Sequence, residues 1–581
     1  MAQPNADLPH TTVPSFSILS DGTALDVSQV VSLSISTEIG KIPQAEVVLN
    51  DGSMAKRTFE ISSTNRFIPG SVLEIKAGYQ QTNKSIFKGV VVKHGIRTTL
   101  SQNSTLTIEL KHALYKAALT RKSGIFMKQK DSDTLDSILG TYAVEKSVED
   151  TQTEHLQMVQ MNCTDWDFVN LRAEANNLLV LPKPEKTEIK KPETSAPEKV
   201  TLEFGVSLIE ADLELDNRVA FENFEGQTWD SAEQEISSAS STLTGLSETG
   251  NLPASELASK ANHHSYVVRN GASLAENELI EVLNTQKSRS LLSKIRGIVK
   301  CEGTSDVQIG DMVKLAGLGD RFNGKALVTG VMHDIGPGRW FTTLQIGLNA
   351  ESFLDRFSDV NEKPAGGLLP AVNGLQVGIV STIIPEQDEP NILVRIPITT
   401  AREEGVWARV ARLDAGSNRG AVFHPEENDE VILGFVNDDP RQAVILGMLN
   451  SSKNNVPDEL KAAQDNPVKG FITRSELKLL FDDKKGIITL ETPQGKVVID
   501  DDRKSITIND DSNQNSITLS DKGITIECGK DLTISARGNV KIEGKKVEIK
   551  ASGSLSAEGS GGVSLKSNGI TEIKGSMVNI N

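Results

Sequence analysis

The last hundred residues carry a short apolar repeat, which restricts the fold more than any other feature of the sequence. Two aliphatic side chains recur at positions i and i+2, and from Ile524 onward the repeats begin every seven or eight residues. Between them lie mostly Gly, Ser, Lys, Asn and Asp, which favour turns. The pairs are Ile506/Ile508, Ile517/Leu519, Ile524/Ile526, Leu532/Ile534, Val540/Ile542, Val547/Ile549, Val563/Leu565 and Val578/Ile580, with Leu555 and Ile570 filling two gaps. One strand and one turn per repeat predicts a β-solenoid.

A repeat of eight residues cannot form a stable coil by itself. Ordering eight residues opposes folding by roughly 8–16 kcal/mol, whereas burying two aliphatic side chains returns only about 3–6 kcal/mol. Neighbouring faces and ladder hydrogen bonds must supply the difference. Either one chain winds three repeats into each coil, or three chains each contribute one wall of a triangular prism, and the alternation is compatible with both.

Short strands are also predicted over residues 16–114, where β-branched runs alternate with Asp-Gly and Pro-Gly turns. Three of these pieces return later in the same order. PGSVLEIKAG, SIFKGVVVKHGI and STLTIEL correspond to IGDMVKLAG, GKALVTGVMHDI and FTTLQIGL. The distance from Gly70 to His94 is close to that from Gly310 to His333. The order and spacing indicate an internal duplication of one β-barrel.

Helices and polar segments separate the two copies. Residues 131–143 and 165–177 have capping residues ahead of apolar positions at helical spacing. Residues 182–200 are rich in Pro, Lys and Glu, and residues 225–262 are polar and rich in Ser. We interpret these two segments as mobile loops within an insertion.

A Pro/Gly linker over residues 361–374 leads into five short strand-like pieces. The pieces are VGIVSTII, NILVRIPI, VWARVARL, AVFHPEENDEVILGF and QAVILGML. Five short strands in so few residues are typical of a small barrel of the OB type.

Charge and motif content argue against several functions. Lys and Arg total 61 and Asp and Glu total 78, which gives a net charge of −17 and disfavours general nucleic-acid binding. No G-x-S-x-G, H-E-x-x-H or P-loop motif occurs. The acidic group from Glu426 to Glu430 lies between two strand pieces, where a polar turn is a better interpretation than an acid/base pair. The sequence therefore predicts neither an enzyme nor a cofactor site.

The remaining signals concern location and thiol chemistry. The opening residues show no basic region followed by an apolar stretch, so we expect synthesis in the cytoplasm without a secretory signal. No apolar run is long enough for a membrane-spanning helix. Cys163, Cys301 and Cys528 are far apart, which disfavours a disulfide framework or a zinc site.

The fourth and fifth barrel pieces, with the Trp-containing piece before them, resemble the signature of the VgrG and phage baseplate spike family. That signature has W-x-R-V, a Gly-rich turn, P-E-x-x-D-E-V, D-P-R and a glycine exit. The matching residues are Trp407, Arg409, Val410, Gly416, Gly420, Pro425, Glu426, Asp429, Glu430, Val431, Asp439, Pro440, Arg441, Gly447 and Asn450. The segment DWDFVNLRAEANN is also similar to a D-x-x-F-x-x-x-x-A-E segment of the family's hub.

The resemblance implies a mainly β homotrimer with two hub β-barrels, helical insertions, an OB-fold barrel and a C-terminal intertwined trimeric β-helix. It implies the following bounds: first hub barrel 1–120, helical and inserted region 121–290, second hub barrel 291–360, OB fold 371–452, neck 453–480 and spike 481–581. Two similar barrels in each of three chains would form a quasi-six-fold ring that meets a six-fold inner tube.

The same resemblance implies a role and partners. The chain would be the central spike of a contractile injection particle that pierces a target cell envelope, in contact with inner-tube and baseplate proteins. A tip protein of the Pro-Ala-Ala-Arg (PAAR) type is expected to bind Met577, Val578, Asn579, Ile580 and Asn581. The kind of machine stays open between phage tail, type VI apparatus and extracellular injection particle. A β-helical polysaccharide-degrading or carbohydrate-binding protein is the alternative function.

Overall fold

The computed structural model describes residues 13–99, 104–384, 390–399 and 405–580. The chain divides into two compact units, one over residues 1–371 with 437–440, and one over residues 372–436 with 441–581. Both units are built mainly from antiparallel strands. No helix in the described part of the chain is both long and apolar enough to cross a membrane.

The first unit begins with strands whose side chains alternate between core and solvent, as the sequence predicts. In the fourth strand Ala45, Val47 and Leu49 are buried, and the residues between them are more exposed. The strands are β1 (Pro14–Ser20), β2 (Thr23–Ala24), β3 (Val30–Glu38), β4 (Gln44–Asn50), β5 (Val72–Tyr79), β6 (Thr82–Arg97) and β7 (Thr105–Lys111). They pair in the order β3-β4-β7-β6-β5-β1-β2.

Helices and shorter strands follow. The two helices predicted first are confirmed as α1 (Asp131–Gly140) and α2 (Asp165–Ala175), and Thr164 caps α2 by accepting a hydrogen bond from the Asp167 amide. The other elements are β8 (Arg121–Lys130), β9 (Lys146–Val148), β10 (Glu154–Thr164), β11 (Leu179–Pro182), β12 (Thr187–Lys190), β13 (Glu198–Glu203), β14 (Leu208–Leu215), β15 (Asn223–Asp230), β16 (Glu235–Ser240), α3 (Ala254–Ala261), β17 (Ser265–Asn270) and α4 (Glu276–Ser293). Short 3-10 helices cover Asn65–Phe67 and Ala113–Ala118.

The prediction of mobile loops over residues 182–200 and 225–262 is wrong. In the first segment β12 pairs with β11 and β9, and Ile189 is fully buried in the core around α1 and α2. In the second segment β15 pairs with β16 and β17, and α3 buries Leu257 and Ala258. Both segments have few apolar residues, and only some of these are buried, so composition concealed their structure.

The unit closes with β18 (Ile295–Glu302), β19 (Met312–Ala316), β20 (Gly324–Gly336), β21 (Arg339–Ile346) and the short α5 (Phe353–Arg356). With β14 they pair in the order β14-β18-β21-β20-β19. This order repeats that of β3-β4-β7-β6-β5. We name the earlier group strand set A and the later group strand set B.

Register shifts support the duplication in more detail. The long strand β6 has a shift against β5 that β20 lacks against β19. Two other shifts, one on the first strand and one on the long strand, occur in both sets. They lie between Val30 and Ser32 in β3, Leu208 and Glu210 in β14, Val91 and Lys93 in β6, and Val328 and Gly330 in β20. When the bulges of β6 and β20 are aligned, His94 corresponds to Val331. The sequence comparison instead aligns His94 with His333, which is two residues further along β20.

The two sets have separate hydrophobic cores and are joined through one continuous sheet. Strand β20 of set B pairs antiparallel with β3 of set A, with His333 opposite Ile35 and Ile335 opposite Leu33. All four side chains are buried.

Tyr79 strengthens this junction between the sets. Its ring stacks on Trp340 with centroids 5.4 Å apart. Its hydroxyl donates a hydrogen bond of 3.0 Å to the Gly303 carbonyl oxygen. Burial, with the nearby Glu302 carboxylate, raises the pKa of Tyr79 to about 12. A Cβ at Gly303 would lie 2.0 Å from the Trp340 ring, so only glycine fits beneath it.

The second unit contains a closed five-stranded barrel with the order β22-β23-β24-β28-β27. Its core holds Val394, Ala408, Val431, Leu433 and Ile445, all fully buried. The strands are β22 (Gln376–Thr382), β23 (Ile392–Arg395), β24 (Val406–Val410), β27 (Glu430–Phe435) and β28 (Ala443–Leu449), with a hairpin of β25 (Ala415–Gly416) and β26 (Arg419–Gly420). The OB-like barrel predicted from the sequence is confirmed.

A single-layer antiparallel sheet follows the barrel in the second unit. Its seven strands pair in chain order and are β29 (Val468–Ile472), β30 (Lys478–Asp482), β31 (Ile487–Thr492), β32 (Gly495–Asp500), β33 (Ser505–Asp510), β34 (Asn515–Ser520) and β35 (Gly523–Glu527), after a 3-10 helix at Asp458–Leu460. Residues 528–580 are all described and form no strand within the single chain.

His333 makes the stability of the first unit depend on pH. Burial lowers its pKa to about 4 from 6.5, and its Nδ1 lies 3.0 Å from the Thr342 hydroxyl. Below pH 6.5 the unfolded chain binds a proton that the folded chain excludes, so the free energy of unfolding falls towards pH 4, by up to about 3 kcal/mol. We expect His333→Gln to reduce this pH dependence, measured by thermal unfolding between pH 7 and pH 4.5.

The control is His264→Gln, which changes a largely exposed histidine. This variant should unfold with the same pH dependence as the unsubstituted protein. An unchanged pH dependence in His333→Gln would contradict the assignment.

Candidate functional site: the interaction surfaces

The residues of the family signature are divided among several strands of the second unit and the turns between them, with Glu430 at the start of β27. Trp407 and Arg409 lie on β24, where Trp407 is half-buried and Arg409 is exposed. Asp439 and Pro440 lie between β27 and β28, followed by Arg441, and Asp439 is buried. The signature therefore supports the barrel and does not converge on one pocket.

The acidic group predicted to form a turn does form one. The Glu426 amide donates a hydrogen bond of 2.8 Å to the Asp429 carboxylate, and the Asp429 amide donates to the Glu426 carbonyl oxygen at 3.0 Å. Asn428 has a φ of +72°, a conformation that asparagine tolerates well. Pro425 before the turn is buried. These bonds explain the P-E-x-x-D spacing as turn chemistry.

Because Asp429 holds this turn by hydrogen bonding, we expect its substitution to lower the stability of the barrel. Asp429→Ala leaves the Glu426 amide without its side-chain acceptor, and we expect a loss of about 1 kcal/mol in the free energy of unfolding. Glu427→Ala, at an exposed position of the same turn, is the matched control and should be neutral. Denaturant unfolding of the two variants measures the difference, and equal stabilities would contradict this role for Asp429.

The densest group of buried charges in the first unit is centred on Asp131. Its carboxylate accepts hydrogen bonds from Arg172 at 2.7 and 2.8 Å, from Asn176 at 2.9 Å, and lies 2.9 Å from His155 Nε2. Burial favours a higher pKa for Asp131, but the hydrogen bonds and charge of Arg172 hold its pKa below the usual range. Glu278 of α4 lies 3.4 Å from Arg172. A carboxylate so fully bonded ties α1, α2, β10 and α4 together.

Metal ligation has no candidate cluster in the described ranges. Groups of three or more His, Cys, Asp or Glu side chains arranged to hold an ion do not occur among those residues. His263 and His264, adjacent in sequence, have separate partners, the Ala220 carbonyl oxygen and the Glu222 carboxylate.

The most distinctive surface is one face of the seven-stranded sheet. Cross-strand pairing brings apolar residues opposite one another from strand to strand, for example Val497 opposite Ile508 and Ile508 opposite Ile517. The members of this apolar face are Phe471, Leu479, Phe481, Ile488, Leu490, Val497, Ile499, Ile506, Ile508, Ile517, Leu519, Ile524 and Ile526. Ten of them are large hydrophobic residues with 37–70% of their surface exposed. A soluble protein rarely leaves so large an apolar face uncovered.

The opposite face of the sheet is different in chemistry. Its cross-strand ladder runs through Thr489, Val498, Thr507, Thr518 and Thr525. Threonine suits both a strand and contact with water. The sheet therefore has one side suited to packing and one side suited to solvent.

The apolar pairs continue beyond the sheet without strand partners among the described residues. Leu532, Ile534, Val540 and Ile542 have between 56% and 69% of their surface exposed. Of the residues predicted to bind a tip protein, Met577, Val578 and Ile580 are exposed at 79%, 49% and 87%. Asn579 is also exposed, and Asn581 lies outside the described residues.

Two contacts inside the second unit attach the barrel to the start of the sheet. Phe423 stacks on Phe471 with centroids 5.4 Å apart and planes 7° apart. Arg474 lies 2.8 Å from Glu426. The contact between Phe423 and Phe471 is not predicted from the sequence, in which residues 453–480 are interpreted as a neck. The apolar i, i+2 pair Leu479/Phe481 was the available signal that the sheet begins earlier.

Two family models match the chain. The model described as the Alg8 N-terminal domain matches residues 10–336. The model described as the type VI secretion system/phage-baseplate injector OB domain matches residues 376–449. The first match covers more than half of the chain, and the second coincides with the closed barrel.

Two curated proteins of Pseudomonas aeruginosa are similar to the chain. The type VI secretion system spike protein VgrG1a is 24% identical over 366 residues, which are 52% of this chain and 55% of that protein. VgrG1c is 31% identical over 86 residues, 14% of this chain and 12% of that protein. The chain thus spans about half the length of the first relative and a small part of the second.

Among solved structures, the 43 kDa tail protein of prophage MuSo2 from Shewanella oneidensis is similar with a TM-score of 0.43. It is 11% identical, and the match covers 57% of this chain and 98% of that chain.

Proposed function

Because this chain belongs to the VgrG-like spike family and carries an Alg8 N-terminal domain, we propose that three copies form the central spike of a contractile injection machine. The observation that carries the proposal is the uncovered apolar face of the seven-stranded sheet, which continues into the unpaired residues 528–580. Copies of the same chain supply faces of matching length and chemistry.

The energetics favour association through this segment. Burying one Leu, Ile, Val or Phe side chain contributes about 1.5–3 kcal/mol, and the apolar face alone holds more than ten such residues. Strands from neighbouring copies would also pair the backbone groups of residues 528–580. A triangular prism buries three apolar faces together and leaves the threonine faces in water.

We propose that the first unit adapts the trimer to a six-fold inner tube. Each chain contributes two strand sets with the same order and two matching bulges. Three chains would therefore present six equivalent sets to the tube. Baseplate proteins and the target cell envelope are the further partners in this proposal.

The carbohydrate-active alternative would need carboxylate pairs along the strands of the solenoid. The described sheet presents an apolar ladder on one face and a threonine-rich ladder on the other. These faces suit packing and solvent contact, and they support a mechanical role.

To test the trimer, lysine pairs are introduced separately on the apolar face and on the threonine-rich face of the sheet. Ile508→Lys with Ile517→Lys changes two opposed residues of the apolar face, and we expect loss of the trimer because two charges would be buried. Thr507→Lys with Thr518→Lys is the matched control on the opposite face and should remain trimeric. Sedimentation velocity of the full chain gives the mass. A monomeric unsubstituted protein would contradict the proposal and favour a single-chain solenoid.

We also propose that residues 577–580 bind a tip protein of the PAAR type through their apolar side chains. Val578→Asp with Ile580→Asp should abolish capture of such a protein by the purified trimer, because charges replace the exposed apolar pair. Asn568→Asp adds a charge at an exposed position outside residues 577–580 and is the control, expected to retain binding. Full binding by the doubly substituted trimer would place the tip protein elsewhere.

A further inference from the structure

The junction between the two strand sets inside one chain provides a template for a contact between chains. At this junction β3, the first strand of set A, pairs with residues 330–335 of β20, the long strand of set B. The equivalents of these two strands are β14 and β6. Neither equivalent has such a partner among the described residues.

The free edges are specific stretches of backbone. Strand β14 is the terminal strand of its sheet. Leu208 at its start also bridges to Phe204, and residues 210–215 pair only with β18 in the described structure. Strand β6 pairs with β7 as far as Arg97, but its pairing with β5 ends at Val90. Residues 93–97 of β6 therefore have no strand partner on their other side among the described residues. The equivalent residues of β20 have β3 as that partner.

We propose that β14 of one copy pairs antiparallel with residues 93–97 of β6 in the next copy. The inference rests on the proposed trimer and names the contact that joins its first units. Six strands of the same sheet lie between β14 and β6 within one chain, so the two edges of one copy do not meet.

The matching bulges determine the register of this contact. They make Ile96 the equivalent of His333, and Leu213 the equivalent of Ile35. Because His333 lies opposite Ile35, Ile96 lies opposite Leu213 in the proposed contact. The same step places Arg97 opposite Asp212 and Gly95 opposite Glu214.

Charge supports this register independently. Arg97 and Asp212 are both exposed, and neither forms an ion pair with the described residues. The corresponding position of the junction inside the chain pairs Asp334 with Ser34, which have no opposite charges. Opposite charges at directly opposed strand positions favour pairing. An ion pair between Arg97 and Asp212 would thus be present in the contact between copies and absent from the junction inside the chain.

Lys93 extends the same pattern. It lies opposite Asp216 and diagonal to Glu214 in this register, so basic residues of β6 face acidic residues of β14. Asp216 already contacts Arg218 at 2.6 Å, and Glu214 contacts Arg296 at 2.9 Å. Recognition therefore depends most on Arg97 with Asp212, whose charges are not otherwise compensated by ion pairs.

The apolar side of the contact is incomplete in one copy. Ile96 is 54% exposed, whereas its equivalent His333 is 5% exposed beneath β3. Leu213 and Ala211 of a neighbouring β14 would cover Ile96 in the way that Ile35 and Leu33 cover the end of β20. Repetition of this head-to-tail contact around three copies closes a ring.

Cysteine cross-linking tests the register in the full chain carrying Cys528→Ser. Directly opposed residues have Cα atoms about 4.5–5.5 Å apart, which suits a disulfide. Arg97→Cys with Asp212→Cys should give covalent trimers on mild oxidation. Lys93→Cys with Asp212→Cys is the control, because the two positions would be displaced by about 13 Å along the strands and should not cross-link.

Charge exchange gives a second measurement. Arg97→Asp should increase amide hydrogen exchange of residues 208–215 at least tenfold, because β14 loses its neighbour. Arg97→Asp with Asp212→Arg should restore protection by reversing the ion pair. Failure of the exchanged pair to restore protection would overturn the charge recognition.

The outcomes separate this inference from the proposed trimer. A protein that sediments as a trimer but forms no matched cross-link overturns the contact between β14 and β6 and leaves the spike proposal standing. Cross-linking by Asp212→Cys alone would show that β14 pairs with another β14, and this also overturns the inference. A monomeric protein overturns both.

Discussion

A β-strand satisfies its backbone hydrogen bonds only when it has a neighbour on each side, and a sheet face with apolar side chains needs a second layer. This chain leaves both requirements unmet in defined places. The seven-stranded sheet has an apolar face from Phe471 to Ile526 that no described part of the chain covers as a packing layer. Residues 528–580 retain the apolar alternation but have no strand partner. In the proposed spike, copies of the same chain would complete these surfaces.

Because the strand sets are duplicated, the chain contains the paired strands β3 and β20 and also their equivalents β14 and β6, which are not paired with each other. The order β3-β4-β7-β6-β5 returns as β14-β18-β21-β20-β19, and the bulges fall at matching positions. The internal junction buries Leu33, Ile35, His333 and Ile335. The equivalent edges on β14 and β6 have the same backbone geometry but carry charges. In the proposed trimer, β3 and β20 thus pair within one chain, and β14 and β6 pair between neighbouring copies.

The buried polar groups of the first unit serve to position elements. Asp131 joins two helices and a strand through Arg172, Asn176 and His155, and Lys122 with Tyr142 binds the carboxylate of Asp165 at the start of α2. Replacing one partner would leave a buried charge or dipole uncompensated. The D-x-x-F segment is therefore the start of α2, where Lys122 and Tyr142 bind the Asp165 carboxylate.

The sequence by itself determined the local features: the starts of α1 and α2, the five strands of the barrel, the P-E-x-x-D turn and the period of the apolar repeat. Each depends on residues close together in the chain, where capping, alternation and turn preference act directly. Only the tertiary structure decided that residues 182–200 and 225–262 form strands and a helix, because Ile189 and Leu257 are buried by distant elements. It also decided that His94 corresponds to Val331, and that β14 and β6 keep open edges. The neighbour of an edge strand can lie hundreds of residues away, as β20 does from β3, and local composition carries no record of which edge lacks a partner.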